Sequence, residues 1–155
     1  MAVAALVIED GGDEDETIAA LLHDAVEDQG GAPTLAVIRE RFGTRVAAIV
    51  EACSDTDETP KPPWRARKEA YLAHLREPGL PDGTLRVSLA DKLHNARAIL
   101  ADLRAGNDVF ARFNAPREDQ AWYYDALATT FAERAPGPMA AELRRVVDEV
   151  FGPPA

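Results

Sequence analysis

Apolar stripes of helical period, separated by short polar breaks, run through the whole chain. Side chains that recur every three to four residues share one helix face, so this pattern marks amphipathic helices. It predicts helices over 1–10, 14–29, 35–42, 45–53, 62–76, 85–105, 116–134 and 139–151. The breaks carry residues that end helices: Gly11-Gly12, Gly30-Gly31, Gly43, the turn from Pro78 to Gly83, and Pro136 with Pro138. In 14–29, Ile18, Leu21, Leu22, Ala25 and Val26 recur at helical spacing; in 45–53, Val46, Ile49 and Val50 form the stripe. Thr34 and Thr44 stand where helix N-caps are expected. Trp122, Tyr123, Leu127 and Phe131 read as core. The stretch 54–63 is polar and proline-bearing, hence a loop placed to serve as a flap over a site. With no strand pattern, no glycine-rich phosphate loop and no repeat, the expected fold is all-α, a compact multi-helix bundle in a single domain.

Composition narrows the partners. The chain has 155 residues, 46% of them apolar, enough for a packed core. Its 27 acidic residues against 17 basic ones give a net charge of −10, a surface that repels nucleic acid and anionic membranes. Neither is an expected partner. An anionic ligand needs a local basic patch, and Arg65, Arg67 and Lys68, with Lys92 and Arg97, are the candidates. The acidic run Asp13 to Glu16 lies at a helix start, where carboxylates offset the helix dipole. Cys53 is the one cysteine, which fits a reducing cytoplasm; it reads as a small buried hydrophobe, and His74 as a surface residue. The start MAVAALVIEDGG has no basic leader, and its apolar run is too short to span a bilayer.

Two polar clusters interrupt this pattern. In LLHDAVEDQ, His23-Asp24 is followed one turn later by Glu27-Asp28; in SLADKLHNAR, Asp91, His94 and Asn95 share a helix. Burying such groups among Leu, Ala and Val is costly unless something binds them. Imidazole with carboxylates suits Mn²⁺, Fe²⁺, Zn²⁺ or Mg²⁺, and a further acidic pair suits proton transfer around an activated water.

The strings HDAVED and LADKLHN resemble the HD-domain metal-dependent phosphohydrolases. Within them the likeness is strongest to the hydrolase domain of RelA/SpoT-type enzymes and their small stand-alone relatives, which removes the 3′-pyrophosphate of ppGpp with Mn²⁺. The likeness runs from Ala2 to about Leu103, includes the spacer ERFGTRVAAIVEACSD, and fades beyond Asn107. It implies a compact all-α fold and a divalent metal, Mn²⁺ by family. His23, Asp24 and Asp91 would be metal ligands, Glu27 and Asp28 the catalytic acidic pair, and Asn95 the asparagine that contacts the nucleotide. His94 would support the site rather than bind metal.

The sequence departs from the family at three places. The family's first histidine ligand precedes a Val-Ala pair; Val3-Ala4 holds that place here, so that histidine falls upstream of Met1 and the first helix is expected to be shortened. Ala98 stands where the family has a hydroxyl, and CSDTDE where it has a Val-Thr-Lys type. The resulting expectation is a cytoplasmic metal-dependent phosphohydrolase acting on a small nucleotide. The alternative is a nucleotide- or metal-binding module with little or no catalysis. A shortened first helix also leaves room for homo-oligomers through its apolar edge.

Overall fold

The computed structural model describes residues 1–55 and 60–154. The chain is all-α: α1 (Ala2–Glu9), α2 (Glu14–Leu22), α3 (Ala25–Gln29), α4 (Ala32–Phe42), α5 (Thr44–Cys53), α6 (Trp64–Leu75), α7 (Thr84–Arg104), a 3-10 turn (Val109–Arg112), α8 (Arg117–Arg134) and α9 (Pro138–Phe151). Among the described residues there is no strand. The backbone gathers into two compact units. One comprises 1–62 and 77–91, the other 63–76 and 92–155.

In the first unit α2 packs against α1 and α5, α4 against α5, and α3 against α4. Val7, Ala19, Val46, Ala47, Ile49, Val50, Val87 and Ala90 are fully buried. On α2 the buried residues are Glu16, Ala19 and Ala20, while Leu21 is 48% exposed and Ile18 and Leu22 are half-buried. Small side chains thus make the close approach, and the bulkier members of the predicted stripe turn outward. Glu16 is buried together with its charge, so it must be paired. Its carboxylate accepts from the Asp13 backbone N–H at 2.7 Å and from Arg86 Nη1 at 2.7 Å, and Arg86 also holds Asp10 at 2.9 Å. Asp13 returns the bond to the Glu16 N–H at 3.0 Å, closing a capping box. Arg45 Nη1 takes Asp13 at 2.7 Å and Asp15 at 3.3 Å. The acidic run is therefore a helix start.

Several local expectations are corrected. The helix predicted from 35 begins at Ala32, because Gly31 at φ 68° turns the chain early and Pro33 fits the first turn. Thr34 is thus inside α4, and its hydroxyl donates to the Gln29 carbonyl at 2.8 Å instead of capping. Thr44 is the first residue of α5, not its cap; Gly43 fills that position at φ 96°. Cys53 is half-buried rather than buried, its sulfur 3.3 Å from Ser88 Oγ, and His74 is half-buried too.

In the second unit α8 packs against α9 and α6. Leu75, Leu127, Phe131 and Leu143 are fully buried, in keeping with the aromatic stripe read from the sequence. Trp122, half-buried, sits edge-on to Trp64 at 6.5 Å. The 3-10 turn was not anticipated: four residues are too few to show a period. Glu142 accepts from Arg145 at 2.6 Å and from Arg97 at 3.3 Å. The hydrogen bond from Arg145 lowers its pKa from 4.5 to about 2.

Gly83 sits at φ +93°, and a Cβ there would meet the Glu16 carboxyl group at 2.6–3.1 Å. Gly83→Ala is expected to lower unfolding stability by roughly 1–3 kcal/mol, whereas Gly79→Ala, in open space, stays within about 0.5 kcal/mol of wild type. Urea unfolding of the pair checks this. A depressed carboxyl pKa stabilises the fold above the unfolded value and loses that contribution as pH falls. Glu142→Gln should therefore cost about 1 kcal/mol at pH 7, with the difference from wild type fading between pH 4.5 and about 2. Paired thermal melts across that window measure it.

Candidate functional site

The run predicted as one helix over 14–29 is broken. α2 ends at Leu22, α3 begins at Ala25, and His23-Asp24 forms the turn between them. The cause lies in the His23 ring. Its Nδ1 donates to the Ala20 carbonyl at 2.6 Å. In an unbroken helix that carbonyl faces the Asp24 backbone N–H, so the ring competes with the helix for it. A carbonyl can only accept, so Nδ1 carries the proton and Nε2 is the outward atom.

Nε2 lies 3.0 Å from Asp24 Oδ2 and 3.3 Å from Asp91 Oδ1. Both are acceptors, and a bare nitrogen lone pair against two carboxylates is repulsive. The arrangement calls for positive charge at that point, either a proton or a cation. Burial works against a charged ring, but the Asp91 hydrogen bond, the Ala20 carbonyl and the charges of Asp91 and Asp24 outweigh it and raise the His23 pKa. The side chains of His23 and Asp91 are 15% and 17% exposed and that of Asp24 is 62%, so the point is walled on two sides and open on the third.

The three donors have the spacing of ligands around one cation. Nitrogen and oxygen ligands at about 2.0–2.2 Å from a cation lie about 3 Å from each other, and both spacings to Nε2 match. The donor set, one imidazole and two carboxylates, suits a divalent first-row ion. Among the described residues, however, no group of three His, Cys, Asp or Glu side chains is assembled as a full metal-holding group. The residues fit such an ion as a partial shell.

Glu27 and Asp28, on α3, are exposed. Glu27 Oε1 accepts a hydrogen bond from the Asp55 backbone N–H, which fixes that carboxylate. The sequence could not show this contact, since it joins residues 28 positions apart through a main-chain atom. Of the loop predicted over 54–63, residues 56–59 lie outside the described residues, and so does any flap they form.

The predicted substrate-binding side chains all belong to the second unit, whereas His23, Asp24, Glu27, Asp28 and Asp91 belong to the first. Asn95 is half-buried on α7, and His94 beside it is exposed. Lys92 Nζ stands 5.1 Å from the Tyr71 ring centre, and Lys68 Nζ 5.1 Å from that of Tyr123. Arg65 lays its guanidinium 3.2 Å over Trp122 and pairs with Glu69 at 2.9 Å. It is anchored as part of the α6 and α8 surface. Arg67 is half-buried on α6.

The profile of the HD domain family matches residues 1–121. Over 103 residues, 64% of this chain, it is 34% identical to the guanosine-3′,5′-bis(diphosphate) 3′-pyrophosphohydrolase of Haemophilus influenzae. Over 102 residues it is 33% identical to a probable GTP pyrophosphokinase of Mycobacterium leprae. The matches cover 14% and 12% of those much longer proteins. In three dimensions the chain is similar to the crystal structure of lmo0812 from Listeria monocytogenes EGD-e. The TM-score is 0.81 at 28% identity, covering 97% of this chain and 91% of that one. HD domains generally bind divalent metals. On the profile match, and on the His-Asp turn and the α7 aspartate that face each other, the chain belongs to the HD domain family.

Proposed function

We propose that this chain is a metal-dependent phosphohydrolase acting on a small nucleotide, with a guanosine 3′-pyrophosphate such as ppGpp as the substrate class. The observation that carries the reading is His23 Nε2, turned by its Ala20 bond toward two carboxylates. His23, Asp24 and Asp91 hold the cation, for which Mn²⁺ is the candidate. A divalent cation supplies a more acidic water and a polarised phosphoryl oxygen. Glu27, held by the Asp55 N–H, orients the attacking water and takes up its proton; Asp28 is the second acidic group of that pair. Asn95 contacts the nucleotide, and Lys92, Lys68, Arg67 and Arg65 offer positive charge to its phosphates. The guanosine 3′-pyrophosphate assignment draws on the names of the matched relatives. The single cysteine, Cys53, fits a reducing, cytoplasmic setting.

A second reading is a binding module with little turnover. What favours it is that, among the described residues, no group of three or more His, Cys, Asp or Glu side chains is placed to hold a metal ion. Pyrophosphate release from ppGpp by the 155-residue chain, with and without Mn²⁺, separates the two. Turnover that requires Mn²⁺ and is lost in Asp91→Asn supports the hydrolase. Nucleotide binding without turnover supports the module.

Glu27→Gln should lower kcat by roughly 10²–10⁴-fold, since it removes a proton acceptor while leaving the metal donors in place. Metal titration of the same variant should stay near wild type; equal loss of metal would make Glu27 a ligand. Arg65→Ala should cost about 1 kcal/mol of stability through lost stacking on Trp122. Lys68→Ala should raise KM for the nucleotide more than it lowers kcat. Steady-state kinetics alongside urea unfolding distinguishes binding from packing.

A further inference from the structure

The 3.3 Å between His23 Nε2 and Asp91 Oδ1 has a cause outside those two residues. His23 is aimed by the Ala20 carbonyl, but Asp91 belongs to α7, so the spacing is set by how α7 stands to α2. His23 keeps helical angles, φ −55° and ψ −30°, just past the end of α2. It therefore continues the stripe that holds Glu16 and the buried Ala19 and Ala20. That stripe is linked to α7 at both ends. At one, His23 faces Asp91; at the other, Glu16 Oε1 accepts from Arg86 Nη1 at 2.7 Å. The two links are about 10 Å apart along α2, by the rise of a helix over two turns.

The second link is rigid. Arg86 gives Nη1 to Glu16 and Nε to Asp10 Oδ2 at 2.9 Å, so one planar guanidinium joins the end of α1 and the start of α2 to α7. The other Glu16 oxygen accepts from the Asp13 N–H at 2.7 Å, which leaves neither oxygen free to turn. Gly83 closes the remaining side, since a Cβ there would stand 2.6 Å from Glu16 Cγ and 2.8 Å from Oε1. An ammonium in place of the guanidinium would be a point charge, unable to hold both carboxylates in this planar geometry.

Few donors face the ion, so affinity depends on their being in place before it arrives. Ligand distances tolerate about ±0.2 Å. Asp91 lies little more than one turn beyond Arg86, a lever of about 7 Å. A tilt of about 10° at Arg86 would move Asp91 by roughly 1 Å, several times that tolerance. We propose that Glu16 and Arg86 are positioning residues for the metal site, their ion pair holding α7 at the angle to α2 that keeps Asp91 opposite His23. The inference rests on the metal-dependent reading above. It deepens that reading by naming residues that touch neither ion nor substrate and yet set the affinity for the ion.

The test is Mn²⁺ binding to the full chain without nucleotide, read from the electron paramagnetic resonance signal of the free ion. Arg86→Lys keeps the charge and loses the fork; Gly83→Ala displaces the Glu16 carboxylate and changes no charge. Val46→Ala is the control, since it removes buried apolar contact in the same unit and no hydrogen bond. Circular dichroism and urea unfolding give the fold and stability of each. Arg86→Lys and Gly83→Ala should each raise the Mn²⁺ Kd at least about tenfold, the loss typical when a residue that orients a metal ligand is removed. Val46→Ala should stay within about twofold of wild type despite its lower stability. At saturating Mn²⁺, kcat for ppGpp should stay within about threefold in both variants, because every donor is still present. If Arg86→Lys does not fold, Gly83→Ala carries the comparison alone. Wild-type Mn²⁺ affinity in the folded variants, or a loss no larger than that of Val46→Ala, overturns the inference and leaves the metal reading standing. Wild type that binds no Mn²⁺ overturns both.

Discussion

Glu16 is the constraint on which the first unit depends. A carboxylate that is 4% exposed has lost its hydration and survives only if every lone pair it points inward finds a donor. Arg86 and the Asp13 N–H supply them, and Arg86 extends the cluster to Asp10. Three pieces of chain are tied by this one group: the end of α1, the start of α2 and the first turn of α7. Those last two helices carry the two halves of the His-Asp site. His23 comes two turns after Glu16, just past the end of α2, and Asp91 little more than one turn after Arg86 on α7. Even the glycine before α7 answers to it, since only a residue without a Cβ leaves room for the carboxylate.

The His23 ring converts that scaffold into a site. A helix that continued through His23 would leave the imidazole free to rotate and would keep Asp24 in the helical register. The bond to Ala20 spends one ring nitrogen on the backbone, breaks the helix and commits the other nitrogen to the space facing α7. Orientation and tautomer are thus set by a main-chain carbonyl before any ligand arrives, the arrangement found behind ligating histidines in general.

Much of this was legible in the sequence. The helices came from the apolar period, and the family from HDAVED and LADKLHN, because those strings place chemistry at fixed helical positions. What escaped was set by single atoms. The break at His23 depends on a ring nitrogen outbidding a backbone N–H, and HDAVED looks the same whether or not that happens. Leu21 was expected on the buried face because size and hydrophobicity favour it, but α2 packs through Ala19 and Ala20. The grip of Asp55 on Glu27 runs through a main-chain atom and has no side-chain signature.

The placement of the two tryptophans has an optical consequence. Trp64 and Trp122 are the chain's full complement, both lie in the second unit, and their rings meet edge to face. Arg65 covers one of them at van der Waals distance. Intrinsic emission on excitation of indole is therefore a reporter of that unit alone, and the unit that carries His23, Asp24 and Asp91 is dark. Far-ultraviolet ellipticity, by contrast, sums the helices of both. Whether the two signals trace the same denaturation curve becomes a direct readout of whether the units melt as one cooperative body or in sequence.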